Sequence, residues 1–112
     1  MDIQQNEQDG ITYLRFSGTM DIENYPVMKQ AIAELNATEA RNVIVNLSGV
    51  ETISSSGVGA LVHLASELKK RDGRLILAAP SKIVAEVLEL LRLTTFFRIT
   101  ADEETARSEI LA

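Results

Sequence analysis

The sequence predicts an α/β domain built on a single-layer mixed β-sheet of about five strands, with about four helices. Strand-like segments alternate with segments of helical periodicity in the order β-β-α-β-α-β-α-β-α, as in layered α/β folds. Residues 43–47 are apolar on both faces except for Asn46, which favours a central strand with parallel neighbours. An Asp9-Gly10 turn after the first strand predicts an antiparallel hairpin.

Two strands and a helix are predicted in the first third of the chain. Residues 3–7 form a weakly patterned edge strand, and residues 11–17 alternate between two faces until Gly18 ends the strand. Residues 19–24 form a loop that leads into a helix, and Pro26 suits the first turn of that helix. The candidates for its N-cap are Asp21 and Asn24, and its predicted buried face comprises Met28, Ala31, Ile32 and Leu35.

The central strand leads into the most distinctive stretch of the chain. Residues 48–52 are predicted to form a loop, and Ile53-Ser54-Ser55-Ser56-Gly57 follows it. A strongly amphipathic helix then begins and ends at Asp72-Gly73. The predicted inward residues of this helix are Val58, Leu61, Val62, Ala65 and Leu68.

The last third adds two strands and two helices. Residues 74–78 form a short apolar strand, and Pro80-Ser81 opens a third helix. Residues 94–99 give a loop and a short last strand, and Asp102-Glu103-Glu104 places acids in the first turn of a final helix, where the dipole favours them. The predicted inward residues of the third helix are Ile83, Val84, Val87, Leu88 and Leu91.

Length and composition limit the class of protein. The 112 residues fit one domain, covering residues 1–112, and 46% hydrophobic with 24% charged residues excludes a disordered chain. The lack of cysteine excludes disulfides, thiolate catalysis and cysteine-based zinc sites. No signal-peptide pattern and no apolar run of bilayer length are present. We therefore expect a cytoplasmic protein without direct membrane insertion.

The net charge of −5 comes from the first half of the chain. Residues 1–56 hold eight acids and three bases, whereas residues 57–112 hold eight of each. Binding to nucleic acid needs a basic face, so this balance argues against a nucleic-acid partner. The acidic half favours a protein partner with a basic surface.

The three consecutive serines stand where a loop becomes a helix. Backbone N–H groups and the helix dipole at such a place can bind an anion. Two interpretations stay open from the residues alone: the serines only turn and cap the chain, or Ser56 is a phosphorylatable switch. A phosphate would add about −1.5 to −2 charges at pH 7, which the helix start tolerates but a docked surface would not.

Enzyme interpretations have little support. The single histidine, His63, lies on the polar helix face two turns from Ser56, too far along the helix to act as its base. Ser56 lacks the preceding glycine of a nucleophile elbow, and Val62 replaces the third glycine of a dinucleotide fingerprint. We expect no enzyme activity, no cofactor and no metal. A small hydrolase that uses Ser56 is the remaining enzyme alternative.

Taken together, the motifs resemble those of the STAS domain, in particular the bacterial anti-sigma-factor antagonists. The central strand with Leu47-Ser48-Gly49-Val50, then Ser55-Ser56-Gly57-Val58-Gly59 and a long helix, carries the resemblance. Gly18-Thr19-Met20-Asp21 resembles the family's Gly-x-Leu-Asp loop, and Phe96-Phe97-x-Ile99 resembles its end. The resemblance covers residues 10–106 and implies the STAS fold.

The resemblance also implies roles for single residues. The family motif is usually Asp-Ser-Ser-Gly or Asp-Ser-Thr-Gly, and its second hydroxyl, the phosphoacceptor, corresponds to Ser56. Ser54 stands where the family has Asp, and Asn46 stands where an acid is common. The partner-binding residues implied are Asp21, Ile22, Glu23, Asn24, Ser54, Ser55, Gly57 and Val58.

The function implied is that of a monomeric anti-sigma-factor antagonist. Such a protein binds an anti-sigma factor with a histidine-kinase-like ATPase fold and so releases a sigma factor. The partner phosphorylates Ser56, and a serine phosphatase resets it. The alternative is a STAS subunit that is not phosphorylated and is bound to the ATPase of a lipid-transporting ABC complex or to another regulatory assembly.

Overall fold

Five strands and four helices follow the predicted order in the computed structural model, which describes residues 1–112. None of the helices combines the length and apolar character needed to cross a bilayer. The elements are β1 (Asp2–Gln8), β2 (Ile11–Met20), α1 (Tyr25–Asn36), β3 (Asn42–Ile53), α2 (Ser55–Lys69), β4 (Arg74–Ala78), α3 (Lys82–Leu90), β5 (Arg98–Thr100) and α4 (Glu103–Leu111).

The strands form one mixed sheet in the order β1-β2-β3-β4-β5. β1 pairs with β2 antiparallel through the Asp9-Gly10 turn, whose two φ angles are 54° and 78°, and all other pairs are parallel. Because β2, β3, β4 and β5 run in one direction and each is followed by a helix, all four helices begin at the same edge of the sheet. This edge therefore collects four helix N-termini.

The core divides between the two faces of the sheet. α1, α2 and α3 bury their apolar stripes on one face, together with Leu14, Phe16, Val43 and Val45 of the strands. α4 covers the other face through Ala106, which packs among Ile11, Tyr13, Ile44, Ile76 and Ala78. The central strand β3 is thus apolar on both sides, as the sequence predicts for residues 43–47.

Strands β2 and β3 extend further than the sequence predicts. Gly18 does not end β2, and residues 48–52 belong to β3 rather than to a loop. The two strands shift register after Arg15 and again after Gly18, and they continue to pair until Met20 lies opposite Ile53. Burial of Met20 and Ile53 in the core stabilises this extension, which carries both strands to the edge where the helices begin.

Three predicted helix faces differ in detail from the structure. In α3 only Val84 and Leu88, at i,i+4 spacing, are fully buried, so the stripe that reaches the sheet is narrow. Ile83 and Leu91 flank this stripe and are 53% and 51% exposed. In α2 the buried set includes Leu64, while Val62 and Ala65 are half-buried. In α1 Met28, Ile32 and Leu35 are buried, and Ala31 is half-buried.

Candidate functional site

The serine segment and the loop before α1 meet at one point on the edge of the sheet. The backbone N–H of Ser54 donates to the carbonyl oxygen of Met20 at 2.9 Å, and Ser54 Oγ contacts the same oxygen at 3.3 Å. Asp21 follows Met20 directly, so the last rung of the β2–β3 ladder joins two segments that are more than thirty residues apart. The two segments that hold the residues implied by the resemblance therefore lie side by side at this edge.

Gly57 allows α2 to begin against the end of β2. A Cβ at this position would lie 2.6 Å from the Met20 carbonyl oxygen and 2.8 Å from Ile53 Cγ1, both shorter than any normal contact. Gly59, two residues further along the helix, has no atom within 4 Å of an added Cβ. The first glycine of the segment is therefore required by packing, and the second is not.

The start of α2 has no side-chain cap. Ser54 occupies the N-cap position with an extended backbone, but its side chain accepts no N–H of the helix. The first helical hydrogen bond runs from Val58 N–H to the Ser54 carbonyl at 3.0 Å, so the N–H groups of Ser55, Ser56 and Gly57 precede the ladder. The interpretation that the serines cap the helix is therefore wrong for Ser54, whose hydroxyl donates to the Met20 carbonyl and accepts no helical N–H.

The three serines differ in accessibility. Ser55 is exposed, Ser54 and Ser56 are half-buried, and Gly57 and Val58 are buried. Ser56 is the second residue of α2, one turn before Ala60 on the same helix. At this end of the surface a partner could reach the hydroxyl-bearing residues but not the Val58 side chain, which is only 8% exposed.

The loop before α1 presents an apolar side chain to solvent. Its own polar groups fix its shape: Asp21 Oδ1 accepts the N–H of Asn24 at 3.1 Å, and Asn24 Nδ2 donates to the Thr19 carbonyl at 2.7 Å. Asn24 holds the N-cap position of α1, but its side chain forms no cap bond because it is turned back to Thr19. Ile22 is left 68% exposed and Glu23 is exposed beside it.

Sequence reasoning missed Met20, Tyr25 and Val27. The Met20 carbonyl joins the two segments, and alternation of β2 beyond Gly18 would have indicated its place. Tyr25 and Val27 are 36% and 44% exposed and add large apolar side chains to two sides of α1, Tyr25 towards α2 and Val27 towards β1. Their signal is that they fall outside the helical stripe of the core residues, where large apolar side chains are unexpected.

The ionisable groups with shifted pKa values lie away from the serine segment, around α4. The hydrogen bond from the Arg15 guanidinium lowers the pKa of Glu103, and Asn46 Nδ2 adds a second hydrogen bond at 2.7 Å. The remaining groups of this kind are Arg15, Arg98, Asp102, Arg107 and Glu109. No cluster of three or more His, Asp or Glu side chains is arranged to hold a metal ion, and His63 is exposed on α2. The chemistry available at the serine segment is therefore that of hydroxyls and free N–H groups.

Comparison with known proteins gives a consistent result. The family model of the STAS domain matches residues 2–106. The anti-sigma-B factor antagonist of Staphylococcus aureus (strain NCTC 8325 / PS 47) is 21% identical over 104 residues, covering 93% of this chain and 96% of the relative.

Solved structures with a similar fold include two antagonists. An anti-sigma factor antagonist from Mycobacterium paratuberculosis superposes with a TM-score of 0.91 at 22% identity, covering 99% of this chain and 94% of the other. The Bacillus protein SpoIIAA, in its unphosphorylated form, superposes with a TM-score of 0.81 at 24% identity, covering 97% and 96% of the two chains. Its phosphorylated form gives a TM-score of 0.75.

Proposed function

Because the chain belongs to the STAS domain family, we propose that it is an anti-sigma-factor antagonist switched by phosphorylation of Ser56. In this proposal it binds an anti-sigma factor that has a histidine-kinase-like ATPase fold, and the sigma factor is released. The partner phosphorylates Ser56 with ATP, and a serine phosphatase removes the phosphate. Relatives named as anti-sigma-B factor antagonists support the partner class, and a phosphorylated form of SpoIIAA supports the modification.

The observation that carries the proposal is the open start of α2. Ser56 sits among N–H groups that have no acceptor in the helix, and the Ser54 side chain accepts none of them. A phosphate of about −1.5 to −2 charges would be stabilised there by these N–H groups and by the helix dipole. The fold would therefore tolerate the modified residue.

The same phosphate would oppose binding of a partner. The loop that follows Met20, the residue bound by Ser54, presents Ile22 at 68% exposure, and Asp21 and Glu23 make this loop acidic. A partner that covers Ile22 would have to bury the added phosphate or move away from it, and burial of an unpaired charge is costly. Modification would thus break the complex while the domain stays folded.

The test is a set of serine variants measured against the anti-sigma factor of the same organism. Ser56→Asp should weaken binding by about 30-fold or more, the effect of losing one hot spot. Ser56→Ala should bind as the wild type does but take up no phosphate when ATP is added. Calorimetry measures the affinity, and mass spectrometry locates the phosphate.

Ser55→Ala is the matched control, since Ser55 is exposed in the same turn and should not change phosphate uptake. A Ser56→Asp protein that binds the anti-sigma factor as tightly as the wild type would contradict the switch. So would phosphate on Ser55 with Ser56 unmodified.

The second candidate is a STAS subunit without phosphorylation, bound to the ATPase of a lipid-transporting ABC complex. The observation in its favour is Ser54, which stands where the resemblance places Asp. Affinity capture from the native cell distinguishes the two. Recovery of an ABC ATPase, with the serine segment unmodified, favours the second candidate, whereas a captured kinase favours the first.

A further inference from the structure

A groove of about 420 Å³ runs between α1 and α2, beside the surface described above. Its α1 wall is a row of residues at i,i+4 spacing, namely Tyr25, Lys29 and Ala33. Its floor is formed by Ile32 and Ala60, which are 3% and 4% exposed. The groove stays open because Ala33 and Ala60 have the small side chains where α1 and α2 face each other.

The rim of the groove carries Lys29 and His63. Neither side chain belongs to any of the four ion pairs of the protein, and Glu67, one turn along α2 from His63, is bound to Lys70 at 3.2 Å. Lys29 is also one of only three bases among residues 1–56. A free positive charge therefore stands over an apolar floor.

The other grooves lack this combination. The groove of about 630 Å³ beside Phe96 has Arg98 as its cation, and that guanidinium is already paired with Glu109. The groove between β1 and α1 is lined by Glu34 and has no base. The grooves around Arg41 are almost entirely polar.

We propose that the groove between α1 and α2 binds a small amphiphile with an anionic head group, of the class of medium-chain carboxylates. The alkyl chain lies along the exposed Ala33 and Ala37, above the buried Ile32 and Ala60, and the carboxylate lies between Lys29 and His63. The volume is within the range of about 300–1,000 Å³ typical of small-molecule sites. The groove begins at Tyr25, directly after the exposed loop, so the ligand would lie beside a docked partner, but its binding does not depend on the proposed function.

Calorimetry of the full chain with decanoate, below its micelle-forming concentration, tests the site. We expect saturable binding of one decanoate per chain, and affinity that falls by up to about fourfold for each methylene removed from the alkyl chain. Decylamine, which has the same chain and the opposite charge, should bind much more weakly. Equal binding of decylamine and decanoate, or no binding of decanoate, would overturn the proposal.

Two pairs of variants locate the ligand. Ala33→Leu fills the groove and should weaken decanoate binding by about tenfold, the contribution of one to two buried methylenes, whereas Gln30→Leu, on the other side of α1, should not. Lys29→Glu should weaken binding by at least about fivefold, whereas Lys82→Glu on α3 makes the same change in net charge and should have little effect.

Circular dichroism verifies that each variant is folded. Equal affinities for decanoate in the Ala33→Leu and Gln30→Leu proteins would place the ligand elsewhere and refute the site. Light scattering tests whether a second copy of the chain fills the groove instead. If decanoate does not bind and Ala33→Leu lowers the mass of the protein in solution, the groove is an interface between two copies and the proposal is wrong.

Discussion

Helices α2 and α4 begin at the same edge of the sheet, but their first turns are built differently. At α4, Asp102 Oδ1 accepts the N–H of Thr105 at 2.7 Å, and Glu103 is bound by Arg15 and Asn46. At α2, the N-cap Ser54 leaves the helical N–H groups free, and no ion pair reaches the first turn. Polar side chains thus bind the first turn of α4, which covers one face of the sheet, but not the first turn of α2, which carries the serines.

The difference is one of hydrogen bonding at chemically similar places: the α4 start is bound by side chains of the protein, and the α2 start is not. Both helix starts offer N–H groups and a positive dipole end. At α4 the N–H of Thr105 is bound by the Asp102 carboxylate. At α2 no side chain accepts the first N–H groups, which could therefore bind the phosphate proposed for Ser56.

Gly57→Ala should have the largest effect, because close packing rather than capping holds the start of α2. The added Cβ would lie 2.6 Å from the Met20 carbonyl oxygen, and overpacking of this kind costs about 1–3 kcal/mol. Gly59→Ala is the matched control and should stabilise the protein by up to about 1 kcal/mol, since nothing lies within 4 Å of its Cβ. Urea unfolding compares them, and equal midpoints would contradict the packing of α2 on Met20.

Asn46→Asp should loosen α4 at neutral pH. The amide Nδ2 that donates to Glu103 Oε2 at 2.7 Å would be replaced by a carboxylate oxygen, so two negative charges would meet. We expect the free energy of unfolding to fall by about 1 kcal/mol. Adding Glu103→Gln should recover part of this loss, because an amide again faces a carboxylate. If Asn46→Asp alone is as stable as the wild type, the hydrogen bond between Asn46 and Glu103 does not stabilise α4.

Ser54→Asp should give α2 a carboxylate N-cap like the Asp102 cap of α4. A carboxylate at this N-cap position can accept helical N–H groups and interact with the dipole, so unfolding should require about 0.5–1 kcal/mol more. Ser54→Ala should change stability by less than about 0.5 kcal/mol, since only the long contact to Met20 is lost. Thermal unfolding measures both. A loss near 1 kcal/mol in Ser54→Ala would mean that the serine caps the helix in solution.

The element order and the central strand were predictable because each depends on local pattern. The Asp9-Gly10 turn needs only two residues with positive φ, and residues 43–47 need only apolar side chains on both faces. The boundaries of β2 and β3 were not predictable in this way. From the sequence, Gly18 is predicted to end a strand and residues 48–52 to form a loop. They belong to strands only because β2 and β3 continue to pair beyond their register shifts.

The helix start at the serines could be predicted from the sequence, but its hydrogen bonding could not. Three serines before an apolar helix indicate a helix start, but whether Ser54 caps depends on the Met20 carbonyl, which arrives from another strand. The groove between α1 and α2 could not be predicted either, because the small side chains of Ala33 and Ala60 indicate a groove only once the two helices are known to lie side by side.

Lowering the pH should weaken the interactions that hold α4 and leave those at the start of α2 unchanged. We expect this change in the free energy of unfolding to be the smallest of those predicted. The pKa of Glu103 is lowered chiefly by the hydrogen bond from Arg15, that of Asp102 by the N–H of Thr105, and that of Glu109 by the hydrogen bond from Arg98. A carboxyl whose pKa is lowered by folding binds its proton more readily in the unfolded chain. Its contribution to stability is therefore complete above the ordinary values of 3.8 for Asp and 4.5 for Glu, and is lost as pH falls through the lowered values.

Because Asp102 is exposed and Glu103 and Glu109 are only half-buried, solvent screens these interactions and the acid-dependent loss should be modest. Urea midpoints measured from neutral pH to about pH 3 should fall less steeply in Glu103→Gln, which removes one of the titrating groups. Ser56→Ala is the control and should follow the wild-type pH dependence, since it adds and removes no ionisable group. If Glu103→Gln keeps the wild-type acid dependence, the ion pair with Arg15 does not distinguish α4 from α2.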